Sequence, residues 1–103
     1  MIAHNVFFKL TDDSEAARVR LIQACKTYLT GHPGLVFFAV GGVEPSLSRP
    51  VNDKDFDVAL HMVFATLKDQ DDYQVAPRHN QFIAENKENW AKVRVFDSTV
   101  ETA

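Results

Sequence analysis

Strict alternation in the first segment constrains this chain most. Over residues 3–10, His4, Val6, Phe8 and Leu10 fall on one side of an extended backbone, and Asn5, Phe7 and Lys9 on the other. A period of two belongs to a strand with one buried face, so the rest of the chain must lay something apolar on that face. The break at Thr11-Asp12-Asp13-Ser14 announces it. Asp12 with Glu15 three residues later fits a helix capping box, with Asp13 and Ser14 as rival caps. A helix is expected over residues 14–30, with Ala17, Leu21, Ala24 and Tyr28 in its apolar stripe. Gly31 suits the left-handed position after a helix, and Pro33 prevents continuation.

A second strand is expected over residues 35–43, where the run from Leu35 to Val40 is apolar on both faces. Residues 44–54 form a polar loop with Pro45 and Pro50, of a length that suits a functional or mobile segment. The third strand is expected over residues 55–64, with Phe56, Val58, Leu60, Met62 and Phe64 on one face. Thr66 can cap a short helix over residues 67–73. Pro77 suits the first turn of another, running to Trp90 with Phe82, Ile83, Asn86 and Trp90 on its inner side. A last strand over residues 93–97 leads into a polar tail, residues 97–103. The order is β-α-β-β-α-β with the second helix split in two. This is an α+β chain of the ferredoxin-like type, expected to form one domain over residues 1–103.

Composition narrows the function classes. Apolar residues make up 46% of the chain and eight residues are Phe, which is too apolar for a disordered segment. The net charge of −3 comes without a basic stripe, which argues against nucleic-acid binding. Cys25 is the single cysteine and sits in a helical pattern, where it reads as a small buried apolar residue. No apolar run reaches the roughly 18–20 residues a membrane span needs. Met1 leads straight into the first strand without a charged leader, so a cytoplasmic location is expected. Helices cover one face of such a sheet. The other face carries Phe7, Ala59 and Val63, too apolar to be left to water, so a second copy of the chain is expected to cover it, sheet against sheet.

Four segments, in this order and spacing, resemble the stress-responsive dimeric A/B barrel (Dabb) family. They are His4 to Leu10, His32-Pro33-Gly34-Leu35, Phe56 to Phe64, and Tyr73-Gln74-Val75-Ala76-Pro77-Arg78-His79. The resemblance spans nearly the whole chain. It implies a homodimer in which two ferredoxin-like subunits form a dimeric α+β barrel. Most such proteins have no settled biochemical role. A plant member is a polyketide cyclase that closes a ring by aldol condensation without metal or organic cofactor. By that resemblance His4, Tyr73 and His79 match three of its pocket residues, while its strand-three histidine is replaced by Val58. The same barrel architecture also occurs in antibiotic-biosynthesis and heme-degrading monooxygenases, though no specific residue pattern points to them here.

The residues themselves support a pocket. His79 lies two residues after Pro77, at a helix start, where the dipole favours the neutral imidazole that a general base requires. His4 shares the helix-facing side with Val6 and Phe8, so its ring nitrogens need a partner, which His79 or a water can supply. Tyr73 can donate its hydroxyl to a carbonyl or pack its ring on the sheet edge. The expected pocket lies under the split helix, lined by Val6, Phe8, Val58, Leu60 and Phe82, and holds a small aromatic or acyl molecule. One reading is binding without chemistry. The other is cyclase-like proton transfer with His79 as base and Tyr73 or His4 polarising a carbonyl. His61 points to the opposite face, where it can pair across the dimer, and His32 reads as a turn residue. No histidine or carboxylate spacing suggests a metal, and no cofactor is expected.

Overall fold

A computed structural model describes residues 1–103. The strands are β1 (Ile2–Leu10), β2 (Leu35–Gly42), β3 (Val58–Phe64) and β4 (Trp90–Thr99). The helices are α1 (Glu15–Tyr28), α2 (Leu67–Gln74) and α3 (Pro77–Asn86), with a single 3₁₀ turn at Lys87–Asn89 before β4. All strand pairs are antiparallel, in the order β2-β3-β1-β4. The ferredoxin-like fold expected from the element order is the fold observed.

Local chemistry decides the boundaries. Ser14, not Asp12, caps α1: its hydroxyl accepts the Ala17 N–H at 3.2 Å, and the Asp12 carboxylate instead accepts the Ser14 N–H at 3.0 Å. The helix ends at Tyr28 rather than Thr30. Gly31 then takes φ +74° and turns the chain back toward the sheet. Gly34, at φ +79°, has no room for a side chain, because a Cβ there would overlap Asp69. Thr66 caps α2 as expected, accepting the Asp69 N–H at 3.2 Å.

Larger differences from the sequence expectation lie in β3, α3 and β4. β3 begins at Val58, not at residue 55, because buried Asp57 stops the ladder. Its backbone N–H donates to the Phe8 carbonyl at 2.7 Å, and its carboxylate accepts the Leu10 N–H at 2.8 Å. Phe56 consequently does not line up with Val58. It swings to the far face and packs on Phe7, ring centroids 5.0 Å apart. α3 stops at Asn86, and Trp90 opens β4 instead of closing a helix. β4 is longer than the expected 93–97: Asp97 pairs with His4 and Thr99 with Ile2, so the first residues of the expected polar tail belong to the sheet.

The core lies between helices and sheet. Cys25, Leu29, Val58, Leu60, Met62 and Phe64 are fully enclosed there. Burial pushes the Cys25 thiol up to about 12, which makes it an inert packing group. The opposite face of the sheet carries no helix. Phe37 and Phe96 remain 54% and 55% exposed on it, beside half-buried Phe7, His61 and Val63. The 43–57 connection reaches this face through Arg94, whose guanidinium donates to Asp53 at 2.6 Å and to the Asp55 carbonyl at 3.1 Å. No helix is long and apolar enough to cross a membrane.

Candidate functional site

β1 supplies the floor of the site. Its alternation points His4, Val6 and Phe8 up toward the helices, and pairing with β4 sets Val93, Val95 and Asp97 beside them on the same face. The helices leave β4 partly uncovered: Val93 and Val95 stay 39% and 49% exposed. Between that strand and the α2–α3 joint lies a cavity of about 460 Å³, a size suited to a small organic ligand.

Tyr73 stands at the polar end of this cavity with three imidazoles around its ring. The centroids of His79, His32 and His4 lie 4.6, 4.9 and 6.0 Å from it, each edge-on. The buried phenol is pushed above its ordinary range, so it stays protonated and can donate. His32 also lines this cluster rather than merely filling a turn. It is buried, and its Nε2 bonds the Tyr28 carbonyl at 2.8 Å, tying it to the end of α1.

The partner of His4 is not His79. Nδ1 of His4 donates to Oδ1 of Asp97 at 2.5 Å across the β1–β4 pair. His4 is buried, whereas the Asp97 side chain is half exposed. A carboxylate on Nδ1 fixes the proton there and leaves Nε2 as the free nitrogen of the ring. Asp97 is the site residue the sequence reading missed. In the sequence, residue 97 marks the point where strand passes into polar tail. The signal lay in the alternation Val93, Val95, Asp97, which sets Asp97 opposite His4 on the helix-facing side.

His79 occupies the other flank. Burial holds its imidazole below the ordinary range; the Gln74 backbone carbonyl opposes that shift, and the neighbouring His4 and His32 reinforce it. Its Nδ1 is enclosed and has no hydrogen-bond partner. The apolar wall includes Val6, Phe8, Leu60 and Phe82, together with Leu29, Ile83 and Trp90. Val58 is not on that wall. It is fully enclosed in the core, on the side of β1 away from β4. His61 lies on the opposite face and bonds Asn5 of its own sheet at 2.8 Å. No three His, Cys, Asp or Glu side chains converge as metal ligands.

The model of the stress responsive A/B barrel domain, Dabb, matches residues 2–100. The chain belongs to the Dabb family. No curated protein matches it. Among solved structures, this Dabb chain resembles a Dabb-family protein with a ferredoxin-like fold from Mesorhizobium loti, at 21% identity and TM-score 0.79, covering 98% of this chain and 97% of that one. A dimeric ferredoxin-like protein from Thermobifida fusca matches at 20% identity and TM-score 0.79, covering 96% and 90%. A hydroxynitrile lyase from Passiflora edulis matches at 16% identity and TM-score 0.79, covering 99% and 94%. At these identities the likenesses establish the fold that this Dabb chain shares with them.

Proposed function

We propose that this Dabb protein works as a homodimer whose subunits each bind a small aromatic or acyl molecule and move a proton on it without a cofactor. The observation that carries this reading is the His4–Asp97 pair facing His79 around Tyr73 at the end of an apolar cavity. Its depressed titration keeps His79 neutral near pH 7, as a general base requires. Tyr73, held protonated, supplies a donor for a carbonyl oxygen that gains charge as the neighbouring carbon loses its proton. His4, steadied by Asp97, offers a second nitrogen to receive or return that proton. A ligand seated against the apolar wall displaces water from it, which strengthens each of these interactions.

The bare face of the sheet supports the homodimer. Phe37 and Phe96, with Phe7 and Val63, form an apolar surface that a second sheet of the same kind matches, and the Thermobifida fusca neighbour is a dimeric protein.

Exchange of the α-protons of an aryl alkyl ketone in heavy water, followed by proton NMR, tests the reading. The native protein should accelerate exchange, and His79→Ala should abolish the acceleration while circular dichroism stays unchanged. Acceleration that survives His79→Ala rejects His79 as the base. Ketone binding without acceleration leaves the protein a binder and discards the chemistry.

A further inference from the structure

A second cavity, of about 240 Å³, opens beside the first at the Ile2 end of β1. Ile2, Leu67 and Thr99 contribute to its walls, and two residues, Gln70 and Asp97, line both cavities. The two spaces therefore meet at Gln70 of α2 and Asp97 of β4. One oxygen of Asp97 is committed to His4 Nδ1, while the other makes no hydrogen bond. Gln70 is the more unusual of the two. Only 8% of it is exposed, and its backbone N–H bonds the Thr66 carbonyl at 3.3 Å. Its side-chain carboxamide bonds no group of the protein, yet is not among the sealed atoms that lack a partner. Buried polar side chains are nearly always paired. A buried carboxamide that is neither paired nor sealed opens into the space it lines, here the passage between the two cavities.

We infer that Gln70 is a specificity-determining residue, and that the ligand extends past it into the second cavity on an arm carrying a neutral hydroxyl group. A hydroxyl suits both residues at once: it donates to the free Asp97 oxygen and accepts from the Gln70 amide N–H. A carboxylate brings acceptors only and sets its charge against that of Asp97. A hydrocarbon arm covers the carboxamide and leaves it desolvated and unpaired, which discriminates against such an arm more strongly than any lost contact area. Tyr73 and His79 stay free for the carbonyl and its acidic proton. The class of ligand is thus an aromatic or acyl carbonyl compound with a hydroxylated side arm. This inference deepens the proposed function and rests on the first cavity being the ligand site.

Phenyl alkyl ketones of graded chain length, each ending in a hydroxyl, a methyl or a carboxylate, test this by calorimetry. At the best length the hydroxyl ketone should bind the native protein about tenfold tighter than its methyl counterpart, and the carboxylate should bind weakest. Gln70→Met keeps the length of the side chain and removes its hydrogen-bonding groups. It should weaken the hydroxyl ketone about fivefold and leave the methyl ketone unchanged. A hydroxyl ketone no tighter than the methyl ketone, a carboxylate that binds tightest, or equal effects of Gln70→Met on both neutral probes overturns the inference while leaving the first cavity as a binding site. Failure of every probe to bind the native protein overturns the cavity reading as well. Should Gln70→Met not fold, the side-chain amide resonances of Gln70 in the native protein decide. They should shift with the hydroxyl ketone and not with the methyl ketone; unmoved resonances, or the same shift with both, overturn the inference.

Discussion

Asp97→Ala removes the carboxylate from the His4 imidazole and leaves a buried ring N–H without an acceptor. A hydrogen bond to a charged group contributes about 1.5–3 kcal/mol net. Half of the Asp97 side chain is in water, which moves the value to the lower end, about 1.5 kcal/mol. For a chain of this size that is a fall in Tm of about 6–12 °C. Urea unfolding, read by circular dichroism, gives the free energy directly. The decisive comparison repeats Asp97→Ala in a His4→Phe background, where no ring nitrogen remains to be stranded. There the substitution should cost less than about 0.5 kcal/mol, the usual range for a surface change. An equal cost in both backgrounds would show that Asp97 acts through the β4 edge rather than through His4, and the dyad would be abandoned.

The lowered titration of His79 has a defined sign. An imidazole whose native value lies below its ordinary 6.5 binds fewer protons folded than unfolded, so stability is unaffected above that pH and falls as the pH drops below it. His79→Gln should flatten the loss below about pH 6.5 in urea titrations; an unchanged slope removes His79 as its source. Phe96→Asp, on the bare sheet face, should convert a dimer to a folded monomer in sedimentation velocity at micromolar concentration. A native protein that already sediments as a monomer refutes the sheet-to-sheet assembly. Gly34→Ala meets both a positive φ and the Asp69 side chain, and should destabilise by more than about 1 kcal/mol. The double variant with Asp69→Ala should recover part of that loss, and no recovery would assign the whole cost to the backbone.

The elements that alternate cleanly were legible in the sequence. β1 reads directly from His4 to Leu10, and the helix breaks at Gly31, Thr66 and Pro77 follow from capping chemistry that operates within a few residues. What failed was non-local. Nothing near residues 55–57 reveals that the Asp57 carboxylate will take the Leu10 N–H and turn Phe56 to the other face. Asp97 has poor strand propensity, and pairing with β1 carries the strand through it to Thr99. The site was accordingly half visible. His4, Tyr73 and His79 could be named, but the partner of His4 depended on how far β4 extends. Trp90 reads as one more apolar residue of a helix until the strand that it opens is seen.

β1 serves two surfaces at once. His4, Val6 and Phe8 face the cavity, while Asn5, Phe7 and Lys9 belong to the bare face between them. Single substitutions can change one set and spare the other. Deleting one residue from the middle of β1 cannot, because a slip of one position exchanges the two sets wholesale, sending imidazole to the outer face and Phe7 into the ligand space. The strand therefore tolerates drift in its letters but not in its length. Variation in chain length among such proteins should gather in the 43–57 connection and after Thr99, and spare residues 4–8.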